Sequence, residues 1–349
     1  MAVLSAPDAT FLNPTGLDAG PAARTVLASG QAFALAGGWA TFSAVEEIAG
    51  DGPDIRHLPA GDAERAFPDE FDRLTAPRPD FAGLALDRPR LMGIVNVTPD
   101  SFSDGGDYAD PARAVDRAFE LAEAGADIVD IGGESTRPGS APTSPGEEAD
   151  RVLPVIEAAA KGGLLVSVDT RRPGVMRQAV SAGARIVNDI RALGEPGAVE
   201  AVAATDAFVI LMHMQGTPAT MQTAPAYSLA SRDVAAWLGT RIAVCGAAGI
   251  ARSRIAVDPG IGFGKTDAHN MEILARFGLL HGFGCAVMAG VSRKSFIGRI
   301  AREADAKARL PGTIAATAMA LARGAQLHRV HDVAEARQAL AIWNALCDA

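Results

Sequence analysis

From residue 80 onward the chain alternates between two hydrophobic patterns. Short runs rich in Val, Ile and Leu are apolar at nearly every position. Between them lie Ala-rich stretches whose apolar residues recur at helical spacing. The runs predict strands over 91–96, 127–132, 164–169, 185–189, 207–212, 255–258, 286–291 and 327–331. The stretches between predict helices near 111–124, 146–160, 173–182, 195–204, 228–248, 268–279 and 311–323, with a last one at 332–346. Pro111, Pro173 and Pro311 stand where helices begin, a place where the missing N–H costs nothing. Gly125, Gly183 and Gly324 follow helical stretches, as C-terminal stops do. A run apolar on both faces is how a parallel strand reads. Eight β/α units in about 265 residues predict an α/β protein built on a (β/α)8 TIM barrel. Periodicity alone leaves a doubly wound open sheet as the alternative. The count of eight and the groups at the strand ends favour the barrel.

Residues 1–79 follow another pattern and are expected to form a small N-terminal extension before a barrel domain over 80–349. "QAFALAGGWATFSAVEEI" predicts two short strands around an Ala-Gly-Gly turn. "FPDEFDRLTAPRPDF" reads as a proline-broken linker, and "AGLALDRPRL" as a short hairpin leading into the barrel. Trp39 and His57 stand isolated there, in packing or surface roles.

Composition narrows the function. Lys and Arg number 32 against 41 Asp and Glu, a formal charge of -9. That argues against a nucleic-acid partner, though a small anionic substrate in a locally basic site stays open. Cys245, Cys285 and Cys347 show no metal-ligand spacing and fit a reducing compartment. No secretory signal is read in the first residues, and no apolar run approaches the ~20 residues of a membrane span. The cytoplasm is the expected location.

A β/α barrel places its active site at the C-terminal ends of its strands. Read in order, those ends carry Asn96; Glu134, Thr136 and Arg137; Asp169; Asn188 and Asp189; Met212 and His213; Asp258 and Lys265; Ser292, Arg293 and Lys294; and Arg329 and His331. Each alone has a plain explanation, such as a helix cap or a satisfied core histidine. Together they converge on one mouth. Asp169, Asp258 and Asn188 offer acceptors, suited to a flat, nitrogen-rich heterocycle with several N–H donors. Arg137, Arg293, Lys294, Arg329 and His331 offer donors suited to a dianion such as pyrophosphate. "GFGK" at 262–265 is a weak phosphate-loop signal, not a complete Walker A motif. No Ser-His-Asp or Cys-His arrangement stands out.

The motifs "MGIVNVTPDSFSDGG", "GADIVDIGGESTRPGS", "SVDT", "IVNDI", "LMHMQGTP", "DPGIGFGKT", "GVSRKSFIG" and "RVHDV" together closely resemble the dihydropteroate synthase family of folate biosynthesis. The resemblance spans about 85–349 in order. It implies a transferase that condenses 6-hydroxymethyl-7,8-dihydropterin pyrophosphate with p-aminobenzoate, releasing pyrophosphate. By position it implies a pterin pocket of Asp169, Asn188, Met212, Asp258 and Lys294. Pyrophosphate falls to Asn96, Thr136, Arg137, Arg329 and His331, with Asn96 also the metal ligand for Mg2+. The p-aminobenzoate site falls to Thr136, Arg137, Pro138, Phe263, Ser292 and Lys294. Asn96, Asp169, Lys294, Arg329 and His331 carry the catalytic roles, and a homodimer is implied. Ile261 stands where the family often has Phe, a mild apolar change.

Three rivals are weighed. A folate-dependent methyltransferase domain shares Asp169, Asn188 and Asp258 but has little use for "SRK" and "RVHD". A non-catalytic pterin-binding paralogue is expected to have lost part of the metal, Arg or Lys set. An aldolase barrel wants a Schiff-base lysine within a strand, and Lys294 lies at a strand end beside an arginine. The stretch "GGESTRPGSAPT" carries no obvious insertion, so the resemblance implies ordinary sulfonamide sensitivity. Titration with a sulfonamide against p-aminobenzoate checks this, and absence of inhibition at saturating drug would contradict it.

Overall fold

The computed structural model describes residues 10–50, 54–98, 111–134 and 143–349; Thr136, Arg137, Pro138 and the segment 99–106 lie outside the described residues. Ahead of the barrel run β1 (Thr10–Thr15), β2 (Asp18–Ala19), β3 (Phe33–Ala34), β4 (Ala40–Phe42), β5 (Ala44–Ala49) and β6 (Ile55–Pro59). The expected pair around the Ala-Gly-Gly turn is β3 and β4, antiparallel, with Phe33 opposite Phe42. Ala36 and Gly37 both take positive φ there, the geometry of a tight reversal. β1, β5 and β6 make a second antiparallel sheet. Helices α1 (Gly20–Ala28), α2 (Ala60–Ala66) and α3 (Pro68–Thr75) complete this region.

The proline-broken linker is corrected by α3. Pro68 occupies the first helical turn, Asp69 and Glu70 face the positive end of the helix dipole, and Phe71 and Leu74 fall on one buried face. The prolines bound the helix and do not interrupt it. Phe71 meets the Phe33 ring edge-on at 4.8 Å, in a small core with Phe42, Val45 and Leu35. His57 is exposed. Trp39 is not confined to local packing: it lies against both the extension core and the barrel core and donates its indole N–H to the Leu321 carbonyl at 2.9 Å.

The eight apolar runs form one closed parallel barrel. Its staves are β7 (Arg90–Asn96), β8 (Ile128–Gly132), β9 (Val166–Asp169), β10 (Ile186–Asp189), β11 (Phe208–Met212), β12 (Ile255–Asp258), β13 (Ala286–Ala289) and β14 (Leu327–Val330). Around them stand α4 (Pro111–Glu123), α5 (Pro145–Lys161), α6 (Pro173–Ser181), α7 (Ala198–Ala203), α8 (Ala230–Ala247), α9 (Asp267–Ala275), α10 (Ser295–Ala301), α11 (Leu310–Leu321) and α12 (Val333–Asp348). The helix expected over 268–279 splits into α9 and a 3-10 turn at Phe277–Phe283. Helix α10 escaped the pattern because it is short and follows the polar "SRK" end directly. No helix among the described residues is long and apolar enough to cross a membrane.

Strand parity explains why the staves read apolar throughout. Leu91, Val129, Val168, Val187, Val209, Val257 and Val287 face outward into the layer beneath the helices. Met92, Ile128, Ile186, Ile210, Ala256, Met288 and Leu327 face inward and close the lower barrel together with Phe81 and Leu86. Phe81 pairs with Leu84 in the small hairpin expected there, so this hairpin is the barrel's floor plug. Two residues further along four of these staves, the inward positions turn polar: Asp130 after Ile128, Asn188 after Ile186, Asp258 after Ala256, Arg329 after Leu327. The chemistry begins where that apolar layer ends.

The extension docks on the segment that enters β13. Arg78 donates to the carbonyls of Arg73 (2.8 Å), Ala76 (2.5 Å), His281 (2.8 Å) and Cys285 (3.0 Å). Burial pushes its guanidinium down to about 10, still cationic at neutral pH. Arg73 reaches the Gly282 carbonyl at 3.1 Å, and Arg276 pairs with Glu46 at 2.8 Å. Arg78→Ala strips donors from several sheltered carbonyls at once. It is expected to lower unfolding free energy by about 3 kcal/mol, read from urea denaturation followed by tryptophan fluorescence.

Candidate active site

Barrel register sets the upper rim. Asn96 stands opposite Gly132, Gly132 opposite Asp169, and Asp169 opposite Asn188, so four neighbouring staves end in one row. Met212 and Asp258 are likewise opposite each other across β11 and β12. Gly132 leaves room for Asp169: a Cβ there would lie 3.3 Å from the Asp169 Cβ. Gly290 does the same for Asp258, whose Oδ2 a Cβ would approach to 3.1 Å.

Arg329 sits between two carboxylates. Its Nε donates to Asp130 Oδ2 at 2.6 Å and its Nη2 to Asp169 Oδ2 at 2.7 Å. Asn188 Nδ2 donates to the same Asp130 oxygen at 3.0 Å. Burial opposes charge on Arg329, but Asp130 and Asp169 raise its pKa well above the ordinary value. Asp169 is pushed up by burial and pulled down by Arg329, with Asp130 adding repulsion. The guanidinium is what lets two carboxylates stand so close. Asp130 is fully buried and was not singled out from sequence. Its signal was there: an acid in the middle of an otherwise apolar stave.

On the opposite side Asp258 accepts the Gly260 N–H at 2.7 Å, and burial raises its pKa. Lys294 lies with its Nζ 3.8 Å from the centre of the Phe263 ring. Burial lowers its pKa to about 8, against the opposing pull of Asp258. Phe263 packs on Met212, Met214, Met221 and Ile190, an apolar wall for a flat ring. Ser292 and His331 are locked together. The Ser292 Oγ accepts the His331 backbone N–H at 3.1 Å and faces the ring Nδ1 at 3.0 Å. Burial, then Arg329, pushes His331 down to about 3. The imidazole is therefore neutral here and shares one hydrogen bond with the Ser292 hydroxyl.

Four expected groups turn elsewhere. Arg293 is committed to Asp332, with Nε 2.9 Å from Oδ2. Asp189 caps its own loop, accepting the N–H groups of Arg191 and Leu193, both at 2.7 Å. His213 is the satisfied core histidine, held neutral because burial and Lys265 lower it to about 2. Lys265 points inward and is wholly buried, so "GFGK" presents no lysine to a phosphate. Thr136, Arg137 and Pro138 are outside the described residues, but the two ends of their segment are not. Arg172 Nη2 bonds Glu134 Oε1 at 2.8 Å and also the Thr143 carbonyl. Arg151 Nη1 bonds the Gly133 carbonyl at 3.0 Å and Thr143 Oγ1 at 3.3 Å. Two arginines thus each bridge both ends. A cavity of about 400 Å3 lies apart from this mouth, between α1, Trp39 and the end of α12.

Known proteins share this chain's sequence pattern and fold. Residues 92–331 match the family described as pterin binding enzyme. The chain is 47% identical over 267 residues to a dihydropteroate synthase of Escherichia coli strain K12, covering 76% of this chain and 94% of that protein. It resembles the Xanthomonas albilineans dihydropteroate synthase in complex with 7,8-dihydropteroate, with a TM-score of 0.70 and 47% identity over 77% of this chain and 98% of that one. A Yersinia pestis dihydropteroate synthase in a sulfonamide drug complex superposes with a TM-score of 0.72 at 47% identity, covering 75% and 95%.

Arg172 also holds Glu148, a nearly buried carboxylate 2.6 Å away whose pKa burial raises. Removing the guanidinium leaves that acid unpaired. Arg172→Ala is expected to cost about 3 kcal/mol of stability, and adding Glu148→Gln to recover part of it. Chemical denaturation of the two variants beside the native chain checks both.

Proposed function

The chain belongs to the pterin-binding enzyme family, and on that premise we propose that its barrel mouth joins 6-hydroxymethyl-7,8-dihydropterin pyrophosphate to p-aminobenzoate, giving 7,8-dihydropteroate and pyrophosphate. It is a transferase of the dihydropteroate synthase kind. The observation that carries the assignment of residues is the Asp130–Arg329–Asp169 pair of ion pairs beside Asn188 and opposite Asp258 and Lys294.

A dihydropterin ring presents N–H donors along one edge. Asp258 and Asn188 supply acceptors for it, Lys294 donates to a ring acceptor, and the Met212–Phe263 wall covers a ring face. The exocyclic CH2 then faces the rim row of Asn96, Gly132 and Asp169. Arg329 uses Nε and Nη2 on carboxylates, and its Nη1 edge is the one left for an anion. With the Ser292 hydroxyl donating to Nδ1, His331 would offer Nε2–H as a neutral second donor. The C–O bond to pyrophosphate breaks early, with its electron pair leaving on oxygen. The electron-rich ring shares the positive charge, and the Asp169 carboxylate stabilises it. The amine nitrogen of p-aminobenzoate then forms the C–N bond and gives its proton to water or to the departing pyrophosphate. No covalent enzyme intermediate is needed.

Mg2+ fits the donor set. Among the described residues no three His, Cys, Asp or Glu converge as a metal cage. Asn96 offers one neutral oxygen at the rim and makes no hydrogen bond to the described residues. Mg2+ commonly takes one or two protein ligands and completes its shell with phosphate oxygens and water. When bound it would neutralise leaving-group charge. A homodimer is part of the same proposal, supported by exposed Ile300 and Met319 on the α10–α11 side.

Pyrophosphate release that requires both substrates tests the reaction. Lys294→Ala and Asp169→Ala are each expected to lose at least ~100-fold in kcat/KM, comparable to removing a key electrostatic group; full activity in either would sink the assignment. Lys294 supplies its charge only while protonated. Activity is therefore expected to fall as pH rises through about 8. Lys294→Arg, which stays charged, is expected to move that limb to higher pH. A pH profile of kcat/KM for both chains is the measurement.

A further inference from the structure

Lys265 is the one lysine in this region that no step above uses, and burial lowers its pKa to about 7 against the pull of Asp258. It is fully buried, beside a mouth that has another lysine for its chemistry. Its three N–H donors meet three acceptors: the Gly260 carbonyl at 2.9 Å, the Phe263 carbonyl at 3.0 Å and His213 Nδ1 at 3.0 Å. The His213 carbonyl is a longer fourth neighbour at 3.4 Å. His213 is itself held by the Trp237 ring, edge-on at 5.0 Å. A lysine that recognises phosphate keeps its head at a surface, and this one is saturated inside the protein.

The carbonyls converge because the backbone makes them. Gly260, Gly262 and Gly264 take φ of +66°, +82° and +61°. The loop rests directly on the end of β11: a Cβ on Gly260 would lie 1.9 Å from the His213 carbonyl oxygen. Phe263, whose carbonyl Lys265 holds, turns its ring beneath the Lys294 ammonium at 3.8 Å. The loop has further ties: Gln222 donates to the Gly262 carbonyl at 2.8 Å and the Tyr227 hydroxyl to that of Gly264 at 2.7 Å, while Asp258 accepts the Gly260 N–H at 2.7 Å and Asn270 that of Gly262 at 2.8 Å.

We propose that Lys265 is a positioning residue: its ammonium clamps the 260–264 loop onto the end of β11 and thereby seats Phe263 beneath Lys294. The inference rests on the transfer reaction set out above. Of the pterin acceptors, Asn188 stands on a stave that the clamp does not touch, but Asp258 accepts the Gly260 N–H of the clamped loop, and Phe263 belongs with Met212 to the wall over the pterin ring. Loss of the clamp therefore weakens binding of both substrates, because Phe263 and Lys294 serve each of them.

The test is steady-state kinetics of the full chain carrying Lys265→Met or Lys265→Gln, each substrate varied in turn, beside the native chain. Met keeps the apolar stem without the charge, and Gln keeps a donor. The expected result is folded protein whose KM for each substrate rises about ten-fold in Lys265→Met while kcat falls less than about three-fold, with Lys265→Gln intermediate. Unchanged KM values for both substrates overturn the proposal, and so does a loss confined to kcat. Failure of both variants to fold also overturns it, by assigning Lys265 to the fold as a whole. A native chain that releases no pyrophosphate with both substrates present overturns the reaction instead, so the two failures are distinguishable.

Discussion

The mouth is organised by the need to keep charge balanced where water is scarce. Carboxylates from three staves look into it, and each loses hydration there. Arg329 reconciles two of them, with one nitrogen on Asp130 and another on Asp169. That pairing also fixes Asn188, which donates to the same Asp130 oxygen. Asp258 meets a different solution, a backbone N–H on one oxygen and the field of Lys294. The neighbouring glycines at 132 and 290 follow from this, since a side chain at either would press on an acid that has to keep its place.

Much of this was legible in the chain. The barrel showed itself in runs apolar on both faces, because helices cover the outside of each stave and the floor plug fills the inside. Asp169, Asn188, Asp258, Lys294 and Arg329 were found because strand ends were read as one set. What escaped were groups whose meaning depends on direction. Asp130 lies within a stave, and only parity shows that it faces inward with Arg329. Lys265 follows a glycine loop that reads as a phosphate cradle, and three left-handed residues turn it into the core instead. Arg293 stands beside Lys294 in sequence, yet its own positive φ of 56° sends it to Asp332. Helix α3 was hidden by prolines that mark its start and its exit.

The extension before the barrel works at the other end of the molecule. Arg73, Arg78 and Glu46 fasten it to residues 276–285, which lead into β13. The far end of β13 carries Ser292 and Lys294. One stave is thus gripped below by the extension and presents site residues above. The mechanical load is borne by backbone carbonyls and a buried guanidinium, away from any reacting group.

The loop at 260–264 has an evolutionary reading. Gly260 and Gly264 are closed to any side chain, since a Cβ would come within 1.9 Å and 2.6 Å of backbone oxygens on the β11 loop. Left-handed backbone adds its own penalty at each. Variants that escape an inhibitor therefore have few places to arise along this wall. Drift is confined to side chains that the loop carries or touches, such as Ile261, Phe263 and Met221, while its path through space stays frozen.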